Sequence, residues 1–525
     1  MNRSAVIYTL ALGLGVVLLH LVVVMPSHPA GLTWARALRP TWELPVILLL
    51  LGLLPGRLMR ASVVLLAVAL VVLRAADLGT YLAFSRPFNP LLDLHLLVSG
   101  WSLLASSVGH LEAVGIVSAV VLAVLGLGAL LWVCLSRLPR AGGVLRGAVA
   151  AIPAGAVALS LVVPGWTAFN ATPVVAGQIG RMTRGVADLS AFTEALRTAP
   201  EVSPSFGALG DRDVILAFVE SYGRTFLEDP AFRDISAPRL QAVETELQSA
   251  GWHIRSGWVA APTRGGQSWL SHGTLLSGLW VDGQTRYDRL MTSDRISLNR
   301  LFGMAGWRTG AAMPAITLDW PEAAWFGYDI TLAADDLGYA GQPFEWVTMP
   351  DQYTWIAMDR LLRGPGPDMI ELALVTSHAP WTPLPKVVPW DDIGDGAIFD
   401  GTRRAGDSPQ VVWSDPDRIR AQYAKSLDYA LDVAGQYIAR YGDGALFIVL
   451  GDHQPAPLLT GQDAPPDVPI HFISDDPNLL HALPNANFAQ GIFPDADAPV
   501  LPMQDLRDLI ATSFETPTSA ARLEN

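Results

Sequence analysis

The chain has 525 residues, 51% hydrophobic and 16% charged, with a mean hydropathy of +0.33, too apolar for an ordinary soluble globular protein. Residues 1–205 carry 13 Lys and Arg against 7 Asp and Glu, and the remainder carries 22 against 42, so two regions meet different solvents. The acidic C-terminal part argues against a nucleic-acid partner, and the single Cys134 excludes an internal disulfide and any multi-cysteine metal site.

Five apolar stretches approach the length of about 20 residues that a membrane-crossing helix needs: residues 4–25, 43–56, 59–80, 114–135 and 144–165. The second is short, and Arg57 and Arg60 leave only a tight turn before the third, so the pattern reads as four or five spans, with five preferred. Loops on the N-terminal side then hold Arg3, Arg57, Arg60, Arg137, Arg140 and Arg146, against Arg36, Arg39 and Arg86 on the other. That bias puts the N-terminus in the cytoplasm and the acidic region outside the cytoplasmic membrane. The first span has no small-residue cleavage site and reads as a retained anchor. Arg74 and Asp77 fall one helical turn apart in the third span and are expected to pair. Residues 81–113, apolar but interrupted by Asp93, His95 and several serines, suggest an interfacial segment.

Residues 167–208 lack a long apolar run and end in Pro and Gly punctuation, which predicts a juxtamembrane linker before a domain spanning 209–525. Short β-like runs then alternate with helical patterns, as in an α/β domain with a central, mostly parallel sheet between helices. Three runs deliver polar residues at their ends: 213–219 before Glu220-Ser221, 370–376 before Ser377-His378, and 445–451 before Asp452-His453. Ligand sites in such sheets lie at the carboxyl ends of strands. Glu220, His378, Asp452 and His453 therefore have a route to one crevice, and carboxylate plus imidazole suits Mn²⁺, Zn²⁺ or another borderline cation. Each residue alone is as well explained by a solvated loop or a structural histidine; the Gly-Asp-His-Gln turn is the strongest signal.

A nucleophile is sought in TRGGQSWLSHGTLLSGL, residues 263–279. Gly265 and Gly266 permit a tight turn, and Ser268 opens a helical pattern as its N-cap. There, free N–H groups favour a phosphate or an alkoxide. A plain capping serine fits this stretch too, and Ser271, His272 and Thr274 are alternatives in the same run.

Taken together these segments resemble the lipoteichoic acid synthase branch of the alkaline phosphatase and sulfatase superfamily, over nearly the whole chain. VILAFVESYGR resembles the first strand with its metal-binding Glu, here Glu220. GGQSWLSHGTLLSG resembles the nucleophile segment, commonly Thr in that branch and here Ser268. AWFGYD (324–329) with FEWVTMPDQ (344–352) resembles the part of the domain that binds the substrate head group, which implies roles for Trp346 and Asp351. LVTSHAPW resembles the segment with a substrate-contacting His, here His378, and FIVLGDHQP the last metal strand, here Asp452 and His453.

The resemblance implies an extracytoplasmic catalytic domain on a bundle of about five transmembrane helices in a bacterial cytoplasmic membrane. It implies one divalent cation, Mn²⁺ first, with Mg²⁺ or Zn²⁺ as alternatives, on Glu220, Ser268, Asp452 and His453. The expected activity is transfer of phosphoglycerol from a phosphatidylglycerol-like phospholipid to an envelope glycan or polymer through a covalent serine. The alternatives are phosphoethanolamine transfer, sulfatase-like or phosphodiester hydrolysis, and a non-catalytic envelope regulator. Ser268 lacks the Pro or Ala and the Arg of a formylglycine site, and the lone cysteine departs from the disulfide-rich phosphoethanolamine transferases.

Overall fold

A computed structural model of the chain describes residues 3–136, apart from 55, 85 and scattered positions between 91 and 108, then 170–198, and 204–515 apart from 346 and 403–405. It divides into two compact units, 1–188 and 189–525.

In the first unit, α1 (Arg3–Val24), α2 (Glu43–Leu53), α3 (Arg57–Phe84) and α4 (His110–Leu135) follow four of the five expected spans. Among the described residues, only α3 and α4 are long and apolar enough throughout to cross a membrane; Leu10–Val24 of α1 and the whole of α2 are shorter apolar helices. The five-helix bundle is therefore not established, and the expected fifth span, 144–165, lies outside the described residues. At 11 residues α2 would rise only about 16 Å at 1.5 Å per residue, well short of a bilayer core. Leu19, Val22, Ala67 and Leu131 form the small apolar core where α1, α3 and α4 meet.

Two sequence expectations fail here. Arg74 and Asp77 form no ion pair: the Arg74 Nη2 donates to Asn170 O at 2.7 Å, and Asp77 Oδ1 accepts the Phe88 N–H at 3.0 Å. The expected linker is mostly a 28-residue helix, α5 (Ala171–Thr198), and the boundary between units falls inside it, at 188, rather than at 208. Proline-free beyond Pro173, that stretch contains enough Ala, Leu, Met and Arg to propagate a helix, and near its end Phe192 and Leu196, one turn apart, pack into the core of the second unit.

The second unit is an α/β domain on one nine-stranded sheet. Its strands are β1 (Val214–Val219), β2 (His253–Ala260), β3 (Arg308–Met313), β4 (Ile330–Ala333), β5 (Asp368–Leu374), β6 (Leu446–Gly451), β7 (Asp467–Ser474), β8 (Ala489–Gln490) and β9 (Leu501–Pro502). They lie in the order β4-β3-β5-β1-β6-β7-β2-β8, with β9 beside β2. The run β4-β3-β5-β1-β6 is parallel, and β7 is antiparallel to both its neighbours.

Every residue of β1 is buried, and alternation sends its side chains to two cores. Ile215, Ala217 and Val219 join the core under α6 (Pro230–Ser249) and a 26-residue helix, Pro416–Tyr441. Val214, Leu216 and Phe218 join the core under α7 (Ser268–Ser277). The three strands singled out from sequence, β5, β1 and β6, are adjacent and in register: Val219 pairs with Leu374 on one side and with Gly451 on the other. Their carboxyl ends therefore stop at one level. Gly451 is required there, because a Cβ would stand 1.9 Å from Tyr222 O.

Candidate metal centre and nucleophile

The in-register ends set Glu220 beside Asp452 and His453. Ligand atoms of these three residues all lie within 4.8 Å of one another, and all three residues are buried. Ser221, forced to a left-handed φ of 58°, bends the chain back over the strand end. Its N–H donates to Asp452 Oδ1 at 2.7 Å and its Oγ to Glu220 Oε1 at 2.8 Å. Asp452 Oδ1 also accepts the His453 N–H at 2.6 Å. The Ser377 Oγ donates to Glu220 O at 2.6 Å, which ties the end of β5 to the end of β1.

Electrostatics separates the two carboxyls. Burial alone would raise Glu220, but His453 and His378 nearby and hydrogen bonds from Asp452 and Ser221 hold it down at about 2. Asp452 is pushed far up by burial and by the Glu220 charge. Burial lowers His453, against the pull of the Glu220 charge, and its Nδ1 donates to Gln454 O at 2.9 Å. Its Nε2 lone pair is buried and makes no hydrogen bond, with Glu220 Oε1 at 3.4 Å and Asp452 Oδ2 at 3.8 Å. Two facing carboxyls and an unspent imidazole lone pair aimed between them are what an N/O-ligated divalent cation takes up. The residues present fit such an ion.

Ser268 reaches this group: its Oγ donates to Glu220 Oε2 at 3.1 Å. It is not the N-cap expected from sequence. Gly265 (φ 71°), Gly266 (φ 138°) and Gln267 (φ 64°) turn consecutively through positive φ, Gln267 takes the cap position, and Ser268 is the first residue of α7. The turn is pinned by the Gly265 N–H on Gln454 O at 2.8 Å, next to His453. This frees the serine hydroxyl from capping and leaves it at the positive end of a ten-residue helix. Of the alternatives, the Ser271 Oγ is buried on Asp452 O at 2.6 Å, Thr274 on the backbone of Val281, and His272 on Glu371.

His378 follows β5 close enough to act electrostatically on Glu220 and His453, with its Nδ1 donating to Ala379 O at 2.6 Å. Asp351, expected to contact substrate, is instead wholly buried. Its Oδ1 accepts the N–H groups of Val375 and Thr376 at 2.7 and 2.9 Å, so it positions the segment leading to His378. Burial raises it to about 6 against the pull of those N–H donors. Trp346 lies outside the described residues. The supporting serines 221 and 377 were visible only as neighbours of Glu220 and His378, and their backbone contacts had no sequence signal.

No family model and no curated relative matches the chain. It resembles the lipoteichoic acid synthase LtaP from Listeria monocytogenes, at 14% identity over 63% of this chain and 80% of that one, TM-score 0.39. It resembles the Streptococcus pyogenes phosphoglycerol transferase GacH in complex with sn-glycerol-1-phosphate, at 11% over 63% and 80%, TM-score 0.38. It also resembles the C-terminal periplasmic domain of EcEptC from Escherichia coli, at 13% over 57% and 82%, TM-score 0.37.

Proposed function

We propose that the chain is a membrane-anchored, cation-dependent transferase that moves a phosphoglycerol-type head group from a phospholipid to a cell-envelope glycan or polymer through a covalent serine. The observation that carries this reading is the 3.1 Å hydrogen bond that sets Ser268 Oγ, at a helix N-terminus, on the same Glu220 that faces Asp452 and His453. A divalent cation held by Glu220, Asp452, His453 and the Ser268 hydroxyl would neutralise charge on the phosphoryl oxygens and lower the serine pKa; Mn²⁺ is the first choice.

Ser268 Oγ attacks phosphorus, and its proton leaves along the hydrogen bond to Glu220 Oε2. The bond from phosphorus to the diacylglycerol oxygen breaks, and His378 delivers a proton to that oxygen. The acceptor hydroxyl then displaces Ser268, giving its proton to His378, while Glu220 returns the first proton to the Ser268 oxygen. The free N–H groups at the start of α7 stabilise the charge that develops on the phosphoryl oxygens. The apolar helices of the first unit would hold the domain against the outer face of the cytoplasmic membrane, where the donor is concentrated.

The test is peptide mass spectrometry of the full chain after incubation with Mn²⁺ and phosphatidylglycerol vesicles, beside Ser268→Ala. The expected result is a head-group phosphate adduct on Ser268, absent from the variant, whose mass separates phosphoglycerol from phosphoethanolamine. Diacylglycerol release by Ser268→Ala at an undiminished rate would overturn the assignment.

A further inference from the structure

A second concentration of buried charge lies in the first unit, and nothing in the proposed transfer uses it. Arg74 is wholly buried in α3, ten residues before its end at Phe84, or about 15 Å along the axis at 1.5 Å per residue. Its Nη2 is spent on Asn170 O, but its Nε and Nη1 are buried without a hydrogen-bond partner, and it makes no ion pair among the described residues. On the other side of the same backbone, Glu43 Oε1 accepts the N–H groups of Asn170 and Ala171 at 2.6 and 2.8 Å. Glu43 Oε2 is buried with no partner, and so is the hydroxyl of Thr41, two residues earlier.

The charges around Arg74 do not balance. Its charged neighbours are Arg36, Glu43 and Asp77, and Asp77 in turn faces Arg181, whose Nε is also buried without a partner. Among the described residues that act on Arg74 or on Asp77, three guanidinium groups, Arg74 included, thus meet two carboxylates. A buried cation with unspent donors is costly in any protein and more so beside lipid. Water would satisfy donors without supplying the missing negative charge. A phosphodiester supplies one negative charge and acceptor oxygens for Arg74. A hydroxyl or ammonium on the same head group supplies the donor that Glu43 Oε2 and Thr41 lack.

We propose that the buried polar layer around Arg74, Glu43 and Thr41 is a binding site for the phosphodiester head group of a phospholipid bearing a hydroxyl or ammonium donor, separate from the Ser268 centre. The site rests on reading the first unit as membrane-embedded, and it gives that unit a lipid-holding role beyond anchoring. A free glycerol phosphate offers the same chemistry and is the competing source.

The experiment uses the delipidated full chain in detergent with EDTA, which weakens binding at the Ser268 centre. Phosphatidylglycerol is added, and retained lipid is read by native mass spectrometry for wild type, Arg74→Gln, Thr41→Val and Ser268→Ala. Wild type and Ser268→Ala are expected to retain one lipid equally. Arg74→Gln should weaken retention by about tenfold or more, as loss of a charge-assisted contact does, and Thr41→Val by a few-fold. Resistance of the retained lipid to millimolar glycerol phosphate assigns the site to lipid; displacement assigns the same chemistry to the soluble phosphate.

Thr41→Val is nearly isosteric and keeps the test valid if Arg74→Gln does not fold. Retention unchanged in Thr41→Val and in folded Arg74→Gln, or equal retention of diacylglycerol, overturns the proposal. An adduct on Ser268 together with Arg74-independent retention defeats this site alone. Arg74-dependent retention with no Ser268 adduct supports this site and defeats the transferase reading.

Discussion

Two buried carboxylate and histidine clusters lie along α7, one turn apart, and they differ in what they leave unbonded. At its start, Ser268 meets Glu220, which faces Asp452 and His453, where an imidazole nitrogen is buried with no hydrogen bond. One turn on, His272 Nδ1 meets Glu371 Oε1 at 2.6 Å, and Glu371 Oε2 accepts from Tyr328 at 2.6 Å and from Asn299 Nδ2 at 3.3 Å. Phe218 stacks on His272 with ring centroids 3.9 Å apart. Each oxygen of Glu371 has its donor, so this cluster fastens α7 to the middle of β5. The first cluster is costly to the empty fold, and the second is part of what holds it together.

The contrast is sharpest in Asp452→Asn. The amide oxygen can keep the N–H groups of Ser221 and His453, while the variant loses a ligand and one of two facing acids. Cation affinity is expected to fall by about 100-fold or more, since even supporting residues of metal sites cost 10 to 100-fold. Calorimetry with Mn²⁺ measures this, and melting of the EDTA-treated variant should show stability equal to or above wild type. A large loss of stability would place this cluster with the structural one. Glu371→Gln should do the reverse: its amide turns a donor toward Tyr328 and Asn299, costing about 2–4 kcal/mol in denaturant unfolding, with cation affinity per folded molecule unchanged.

The smallest effect concerns a third buried imidazole. His471 is held between Tyr222 OH at 3.1 Å and Ser256 Oγ at 2.7 Å, and burial lowers it to about 3. Its folded pKa lies below the unfolded value of about 6.5, so between those values the unfolded chain binds the extra proton. Stability is full above that range and falls as pH drops through it, by about 2 kcal/mol at pH 5. Denaturant midpoints at pH 7.5 and pH 5 in EDTA should differ less in His471→Gln than in wild type.

The sequence made the three site strands legible because each is an unbroken apolar run ending in a polar pair; β1 and β6 begin one residue later than read, and β5 two residues earlier. That β5, β1 and β6 are neighbours in one register is a long-range fact with no local signature. Asp351 was located by its motif, but its depth depends on the β5 end folding over it. Ser268 was found, yet its place as the first helical residue follows from the left-handed Gln267, a conformation its side chain does not advertise. In the first unit, spacing put Arg74 and Asp77 on one face, but each was taken by backbone from elsewhere. Among the described residues of α5, only Phe192 and Leu196, near its end, join a core, too short an apolar repeat to mark a 28-residue helix.

The alignment of the β1 and β6 ends also fixes when a cation can matter. Asp452 meets the end of β1 through a hydrogen bond from Ser221, 231 positions away, so Glu220 and Asp452 share no site until long-range pairing has been completed. An ion therefore cannot nucleate this domain. A cation held there would bind after the main barrier has been crossed, and is expected to lengthen the lifetime of the folded state while leaving the speed of folding as it was.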